Sequence, residues 1–327
     1  MAHNPSEGEG SQDYPFIREV SSPITDFMVR PLDSRCQVVQ WSKPLTHSDF
    51  RKLAAFMEKY PSVSLRVYDY HRAPPPNLDF LQFFPFVRKF KTECFFLDSL
   101  EGLRNLPPSL EYLVLGRTKK RFSLAVLRAF PHLRQLYLEG HQKDFETISG
   151  LVELEQLTLG SITLPDLSML VPLRKLWSLG IVLGGTRNLQ LLPSIGALKY
   201  LELSLIRGLS DISAIGEIES LQYLCLQQLS RVERLPSFRK LRSLRRVELE
   251  HMKKLHDLRP LVEASNIEEI SLVNAGHMHA EDLKPLVGLR SLKRITMGLC
   301  SDRKNRAAAQ MLPLPDAGLP PGRFVFR

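Results

Sequence analysis

The chain has 327 residues, of which 43% are hydrophobic, so it can bury a large core. Its net charge is +9, from 44 Lys and Arg against 35 Asp and Glu, which raises the question of a nucleic-acid or acidic partner. The four cysteines, Cys36, Cys94, Cys225 and Cys300, contain no CxxC pair, and their spacing supports neither a zinc cluster nor a disulfide framework. The polar, acidic start is unlike a signal peptide, and no run of about 18 apolar residues exists. We therefore expect a cytoplasmic protein.

A polar tail, residues 1–34, precedes a predicted strand and helix. The stretch CQVVQW (36–41) is typical of a strand, and THSDFRKLAAFMEKY (46–60) is typical of an amphipathic helix. Ser48 is the candidate N-cap, because its hydroxyl can accept a hydrogen bond from a free amide at the helix start. We expect residues 35–61 to form a strand-helix cap on the repeats that follow.

A Pro-rich loop, HRAPPPN (71–77), is followed by a cluster of phenylalanines. The cluster consists of Phe80, Phe83, Phe84, Phe86, Phe90, Phe95 and Phe96. These side chains either fill the junction beneath the cap or form a docking patch beside the loop. The first interpretation is favoured, because large apolar groups exposed together cause aggregation.

Internal repeats dominate the chain from residue 62 onward. The pattern Leu-x-x-Leu-x-Leu, with conservative replacements, returns every 21–25 residues. Its copies start at Leu110, Leu133, Leu154, Leu176, Leu198, Leu221, Leu244, Ile267 and Leu292, after weaker copies at Ser62 and Val87. Between copies, apolar residues recur at every third position, as in the stretch from Ile206 to Leu221. A period of three fits a 3₁₀ helix better than an α-helix or a strand.

These motifs resemble the leucine-rich repeat family over residues 62–300, and LSDISAI (209–215) resembles the return of an internalin-type short repeat. The resemblance implies an α/β fold, a leucine-rich repeat solenoid with a curved parallel sheet on its concave side and 3₁₀ or turn returns on its convex side. The chain departs from the family at one position, three residues after the last strand leucine, where the family usually has Asn or Cys. In successive repeats this position is occupied by Thr118, His141, Ile162, Gly184, Ile206, Leu229, Met252 and Ala275. Because this chain lacks the Asn or Cys, the backbone N–H and C=O groups of its turns must find other hydrogen-bond partners.

The repeat register predicts which side chains form the concave face. Side chains alternate along a strand, so places three, five and seven of each repeat point outward. The candidate partner-binding residues come from these places: Tyr112, Tyr137, Gln156, Tyr200, Glu202, Tyr223, Gln227, Arg246, Glu248, Glu250, Glu269 and Arg294. Tyrosine suits binding hot spots, but it also suits strands as plain packing. The charged members either orient a protein partner or neutralise one another across strands.

The sequence carries no recognisable catalytic motif. It has no dinucleotide or P-loop glycine pattern, no GxSxG and no HExxH. His277 and His279 are candidate metal ligands, and Cys225 is a candidate nucleophile, but none has a supporting neighbour in sequence. We expect no enzyme, no cofactor and no metal.

The basic charge is concentrated late in the chain. Residues 231–256 contain nine Lys and Arg against three Glu. Such a run is a solvated face, a contact for an acidic protein, or a nucleic-acid site over residues 231–254. Few aromatic residues interleave with the basic ones, which argues against a single-strand binder.

The sequence is therefore interpreted as a non-catalytic cytosolic scaffold that binds a partner protein, acidic in part, on its concave sheet. Sequestration or inhibition of a toxin or effector, an immunity-type role, is the finer expectation. The alternatives are a nucleic-acid-binding protein and a phosphatase-type regulatory subunit. We expect no membrane contact and a monomer when free. Residues 301–327 are expected to form a C-terminal cap and tail, with a last strand at 324–326.

Overall fold

The computed structural model describes residues 15–68, 77–318 and 323–327. The chain divides into two compact units, Met1–Lys120 and Arg121–Arg327. Each unit contains parallel strands joined by 3₁₀ or turn returns, so the predicted leucine-rich repeat solenoid is confirmed. The predicted Pro-rich loop lies outside the described residues except for Asn77. In the part of the chain that the structure describes, no helix is both long and apolar enough to cross a membrane.

In the first unit, the described residues form a parallel sheet with one α-helix. Its strands are β1 (Ile17–Glu19), β2 (Val38–Trp41), β3 (Ser64–Tyr68), β4 (Lys89–Glu93) and β5 (Tyr112–Leu115), paired in that order. Helix α1 (His47–Met57) follows β2, as the sequence predicts. The segment interpreted as a polar tail contains β1, which pairs with β2 through Ile17↔Val38.

The N-cap of α1 is Thr46, so the assignment of Ser48 to this role was wrong. The Thr46 hydroxyl accepts from the Asp49 amide at 3.1 Å, and an Asp49 carboxylate oxygen accepts from the Thr46 amide at 3.0 Å. This reciprocal pair is a capping box, which satisfies two free amides at once and so selects the earlier residue. Burial raises the pKa of Asp49, but hydrogen bonds from Ile24, Ser22 and Thr46 outweigh burial and lower it.

Most of the phenylalanine cluster packs beneath the cap. The Phe80 ring lies 5.2 Å from Trp41 and stacks on Phe50 at 5.1 Å, centroid to centroid. The junction interpretation therefore describes these rings. Phe95 and Phe96 differ, because they are 39% and 40% exposed and contact each other edge to face.

The described residues of the second unit form eight parallel strands. They are β6 (Gln135–Glu139), β7 (Gln156–Gly160), β8 (Ser178–Val182), β9 (Tyr200–Ser204), β10 (Tyr223–Gln227), β11 (Arg246–Glu250), β12 (Glu269–Val273) and β13 (Arg294–Met297). Each pairs with the next in sequence. Two α-helices, α2 (Arg259–Val262) and α3 (Asp302–Met311), lie among the returns and after the last strand.

The core of the second unit lies where the register predicts. Leu201 and Leu203, at places four and six, are fully buried, while Tyr200 and Glu202 are partly exposed. The apolar residues spaced by three flank or lie within 3₁₀ helices such as Ser213–Glu217, and they point into the core. A 3₁₀ helix has three residues per turn, which explains the period.

The turns after the strands use backbone geometry in place of an asparagine ladder. The residue that follows each strand from β6 to β12 is left-handed, with φ between 51° and 75°. These residues are Gly140, Ser161, Leu183, Leu205, Gln228, His251 and Asn274. Six of their amides, from Gly140 to His251, donate to the carbonyl of the last residue of the next strand at 2.8–3.0 Å. A ladder of backbone amides between neighbouring coils therefore takes the place of the asparagine ladder. Forming it requires non-glycine residues in the left-handed conformation, which is strained.

Candidate functional site

The predicted binding residues divide between the two units. Tyr112 lies on β5 of the first unit, and the other eleven lie on β6 to β13 of the second unit. Within the second unit, parallel pairing in register places equivalent residues side by side, for example Tyr200 beside Tyr223 and Glu248 beside Ser271. The outward places of β9 to β12 therefore form one continuous surface, which we call the sheet face.

Two tyrosines form the centre of the sheet face. The Tyr200 and Tyr223 rings meet edge to face with centroids 5.1 Å apart. The Tyr200 hydroxyl donates to Glu202 at 3.2 Å, and the Tyr223 hydroxyl donates to Glu248 at 2.7 Å on the next strand. Each tyrosine thus presents an apolar ring and holds a carboxylate in a defined position.

A second row of hydrogen bonds runs along the strand ends. The side-chain nitrogen Nε2 of Gln227 donates to Glu250 at 2.6 Å, and its side-chain oxygen Oε1 accepts from the Ser204 hydroxyl at 2.7 Å. The row joins β9, β10 and β11. Because these polar groups restrain one another, the sheet face is a preorganised surface, which lowers the entropy cost of binding.

The middle of the sheet face favours protonated groups. Burial raises the pKa of Cys225, and Glu248, Glu202 and Glu250 raise it further. Burial also raises the pKa of Glu202, and Glu248 raises it further, although the hydrogen bond from Tyr200 opposes the shift. A thiol with a raised pKa is a poor nucleophile, so the surroundings of Cys225 disfavour the role considered for it.

Arg246 was expected to face outward on the sheet, and it lies in the same row as Tyr223 and Glu269, but it is only 5% exposed. Its guanidinium forms a two-nitrogen ion pair with Glu269 on β12, in which the Nε atom lies 2.7 Å from the carboxylate. It also lies over the rings of Tyr223 and Phe324, at 5.2 Å and 5.0 Å. A planar guanidinium stacks on aromatic rings and pairs with a carboxylate at the same time, which explains its burial.

The residues 323–327, which we call the covering segment, lie against the sheet face. The Phe326 ring contacts Trp177 at 5.1 Å and Tyr200 at 6.3 Å, and the Phe324 ring contacts Tyr223 at 5.4 Å. The sequence predicts a last strand at 324–326, but the structure has no strand there. Side-chain contacts, rather than a backbone ladder, hold the covering segment.

Two side chains of the sheet bind the backbone of the covering segment. Gln222 donates through Nε2 to the Arg327 carbonyl at 2.7 Å and accepts from the Arg327 amide at 2.9 Å. Arg245 donates to the Val325 carbonyl at 3.0 Å. Val325 is 68% exposed, so alternate side chains of the covering segment point toward the sheet and toward solvent.

Sequence reasoning missed Trp177, Gln222 and Arg245. All three occupy place two of their repeats, just before β8, β10 and β11, and the register treated only places three, five and seven as outward. A signal was available, because Trp177 is one of two tryptophans in the chain and an apolar ring at a strand edge often marks a contact.

The basic run is largely paired with carboxylates on neighbouring turns. Lys240 lies 2.5 Å from Glu217, and Lys254 lies 2.8 Å from Glu233. Further ion pairs of this run join Arg239 to Glu263, Arg245 to Glu268 and Arg246 to Glu269. Counting charges within the run alone therefore overstates the positive field that it projects.

The two candidate histidines have other contacts. His277 Nε2 lies 2.9 Å from the Leu255 carbonyl, and its ring meets His256 edge to face at 5.1 Å. The His279 amide donates to Asp282. Among residues 15–68, 77–318 and 323–327, no group of three or more His, Cys, Asp or Glu is arranged to hold a metal ion.

Solved structures share this fold. An internalin (inlF) from Listeria monocytogenes is similar over 90% of this chain and 84% of its own, with a TM-score of 0.57 and 16% identity. A chain from the Toll–Spatzle complex of Drosophila is similar over 81% of this chain and 40% of its own, with a TM-score of 0.53 and 12% identity. The resemblance to internalin-type leucine-rich repeats is thereby confirmed at the level of fold. No protein-family model matches the chain, and no curated protein matches its sequence.

Proposed function

We propose that this leucine-rich repeat chain is a non-catalytic scaffold that binds a partner protein on the sheet face of its second unit. The observation that carries the proposal is the Tyr200–Tyr223 pair, with Glu202 and Glu248 fixed by the tyrosine hydroxyls. Rigid aromatic rings with oriented polar groups are the composition of interface hot spots.

The chemistry of the sheet face supports binding over catalysis. Its central thiol, Cys225, has a raised pKa, and its carboxylates are engaged by tyrosine and glutamine side chains. An activated nucleophile requires the opposite conditions, a lowered pKa or an adjacent base.

The charge distribution supports a protein partner over a nucleic acid. The sheet face carries Glu202, Glu248 and Glu250, which would repel phosphates, and Lys240 and Lys254 on the returns are paired. The partner groups that meet these carboxylates would be polar donors or cations. That the partner is acidic elsewhere, and that it is a toxin or effector, stay predictions.

We propose the cytoplasm as the place of action and a monomer as the free form. The spacing of the four cysteines, which fits no disulfide framework, supports a reducing compartment. A phosphatase-type regulatory role has no specific observation in its favour.

The test is photocrosslinking from defined positions. The photoreactive amino acid p-benzoylphenylalanine replaces Gln227 on the sheet face or, in a matched variant, Arg242 on a return. In cells that express the chain, we expect Gln227 to yield a discrete protein adduct that Arg242 does not yield. Nucleic-acid adducts from Arg242, together with no protein adduct from Gln227, would contradict the proposal and favour the basic run.

A further inference from the structure

The covering segment is bound as extended peptides are bound by recognition domains. Its backbone meets Gln222 and Arg245, and its two phenylalanines meet aromatic rings of the sheet. Affinity in such complexes comes from main-chain hydrogen bonds, and specificity comes from pockets for alternate side chains. The sheet supplies both elements to residues 323–327.

The aromatic contacts define the side chains that the site accepts. Phe324 lies near Tyr223 and beneath the guanidinium groups of Arg245 and Arg246, which lie 4.9 Å and 5.0 Å from its ring centroid. Cations over a ring face select an aromatic side chain over an aliphatic one. The Phe326 ring contacts the Trp177 ring at 5.1 Å, and Val325, between the two phenylalanines, is exposed.

We propose that the sheet face around Tyr223 is a recognition site for an extended peptide of the pattern aromatic–x–aromatic, and that the covering segment occupies it in the free chain. A partner protein binds by presenting a segment of the same pattern, which replaces residues 323–327. This inference rests on the proposed function and names the chemistry of the partner.

Because the covering segment is covalently linked to the sheet, it competes with any free peptide for the same site. The size of this effect on the apparent Kd of the peptide can be calculated. Only four residues, 319–322, separate Gly318 from Arg323. A short linker gives an effective concentration on the order of 1 mM. A free peptide with an intrinsic Kd of about 100 μM would therefore bind the wild-type chain about tenfold more weakly than it binds a chain whose own segment is disabled.

The experiment uses a fluorescein-labelled, amidated peptide RFVFR and the full chain. The variant Phe324→Ala/Phe326→Ala leaves the sheet intact and removes the competing rings, while Val325→Ala is the matched control. Fluorescence polarisation should give a Kd about tenfold lower for the double variant than for wild type and Val325→Ala. Adding Gln222→Ala to the double variant should weaken binding about tenfold, since two main-chain hydrogen bonds are lost.

A peptide RAVAR serves as the specificity control and should not bind. Failure of RFVFR to bind the folded double variant would overturn the inference. Equal binding of RFVFR and RAVAR would also overturn it, because the aromatic pattern would then have no role. If the Gln227 adduct described above persists while RFVFR fails, the proposed function survives and this inference alone is rejected.

A second measurement covers the case in which the double variant does not fold. A specific protease site placed between Gly318 and Arg323 is cut after the chain has folded. The cut segment should leave the protein on gel filtration and should be replaced by the labelled peptide. A cut segment that neither leaves nor exchanges would be a fixed part of the fold and would overturn the inference.

Discussion

The side-chain amide of Gln222 hydrogen-bonds the backbone of Arg327 through both its nitrogen and its oxygen, although the two residues lie 105 positions apart in sequence. Gln222 is 7% exposed and immediately precedes β10. The contact places Phe324 and Phe326 over the tyrosine pair. A surface that the repeats build is therefore occupied by a segment that has no repeat.

Removing the Phe326 ring should change the environment of Trp177. The two rings lie 5.1 Å apart, so Phe326→Ala exposes the indole to water and shifts its emission to longer wavelength. The other tryptophan, Trp41, is buried in the first unit and supplies a constant background. Val325→Ala is the control and should leave the spectrum unchanged. Identical spectra for both variants would mean that the covering segment does not contact Trp177 in solution.

The strand leucines should carry stability. Leu203 is fully buried, and Leu203→Ala should lower the free energy of unfolding by about 2–5 kcal/mol through the cavity that it leaves. Val152→Ala is a matched apolar truncation at a 51% exposed site and should change stability by less than about 0.5 kcal/mol. Urea denaturation followed by circular dichroism measures both. Equal losses would mean that Leu203 does not lie in a close-packed core.

The left-handed turns should gain stability from glycine. Ser161 has φ of 54°, and its amide donates to the Val182 carbonyl at 2.8 Å. Ser161→Gly keeps this bond and removes the clash of Cβ, so it should raise the free energy of unfolding by about 1 kcal/mol. Ser161→Ala keeps the clash and should give no gain. A gain of the same size in both variants would show that backbone conformation is not the cause.

The raised pKa of Glu202 gives a signed pH dependence. Its ordinary value is 4.5, and burial raises it in the folded chain, so the folded state binds more protons than the unfolded state above about pH 4.5. The contribution to stability is present below the ordinary value and is lost as pH rises through the raised pKa. Glu202→Gln cannot ionise, so its stability relative to wild type should increase as the pH is raised from 4 to 8.

Urea midpoints at four pH values within this range measure the difference. Glu219→Gln, at an exposed site, is the control and should show a flat difference. A flat difference for Glu202→Gln as well would mean that the Glu202 carboxylate is fully solvated. The predicted gain also indicates that the sheet face retains a carboxylate at some expense of stability, which is typical of functional surfaces.

The repeat architecture was predictable because its signal is periodic. Leucines at places one, four and six fix which face of each strand is buried, and Leu201 and Leu203 lie as that register requires. The tyrosine pair followed from the same register, since equal places on adjacent strands are neighbours. The cap of α1 was missed by two residues, because the capping box between Thr46 and Asp49 was overlooked.

The covering segment was not predictable in the same way. Its contact with Gln222 joins residues that share no period, and only the alternation of Phe324 and Phe326 indicated an extended conformation. Arg246 lies on the outward row beside Tyr223 and Glu269, but its burial there was not foreseen, because it depends on Phe324 and on the ion pair with Glu269. The left-handed turns were equally hidden, because residues such as Leu183 rarely adopt positive φ.

The sheet face, rather than the basic returns, is proposed to bind the partner. The most direct measurement is the affinity of the protein recovered from the Gln227 adduct for two variants that retain their circular dichroism spectra. Tyr200→Ala/Tyr223→Ala should weaken binding about 30-fold or more, the equivalent of about 2 kcal/mol for a hot spot. Reversal of Arg239, Lys240 and Arg242 to Glu should change mainly the association rate and its salt dependence. Unchanged affinity in the tyrosine variant, with binding abolished by the reversal, would contradict the account and place the site on the basic returns.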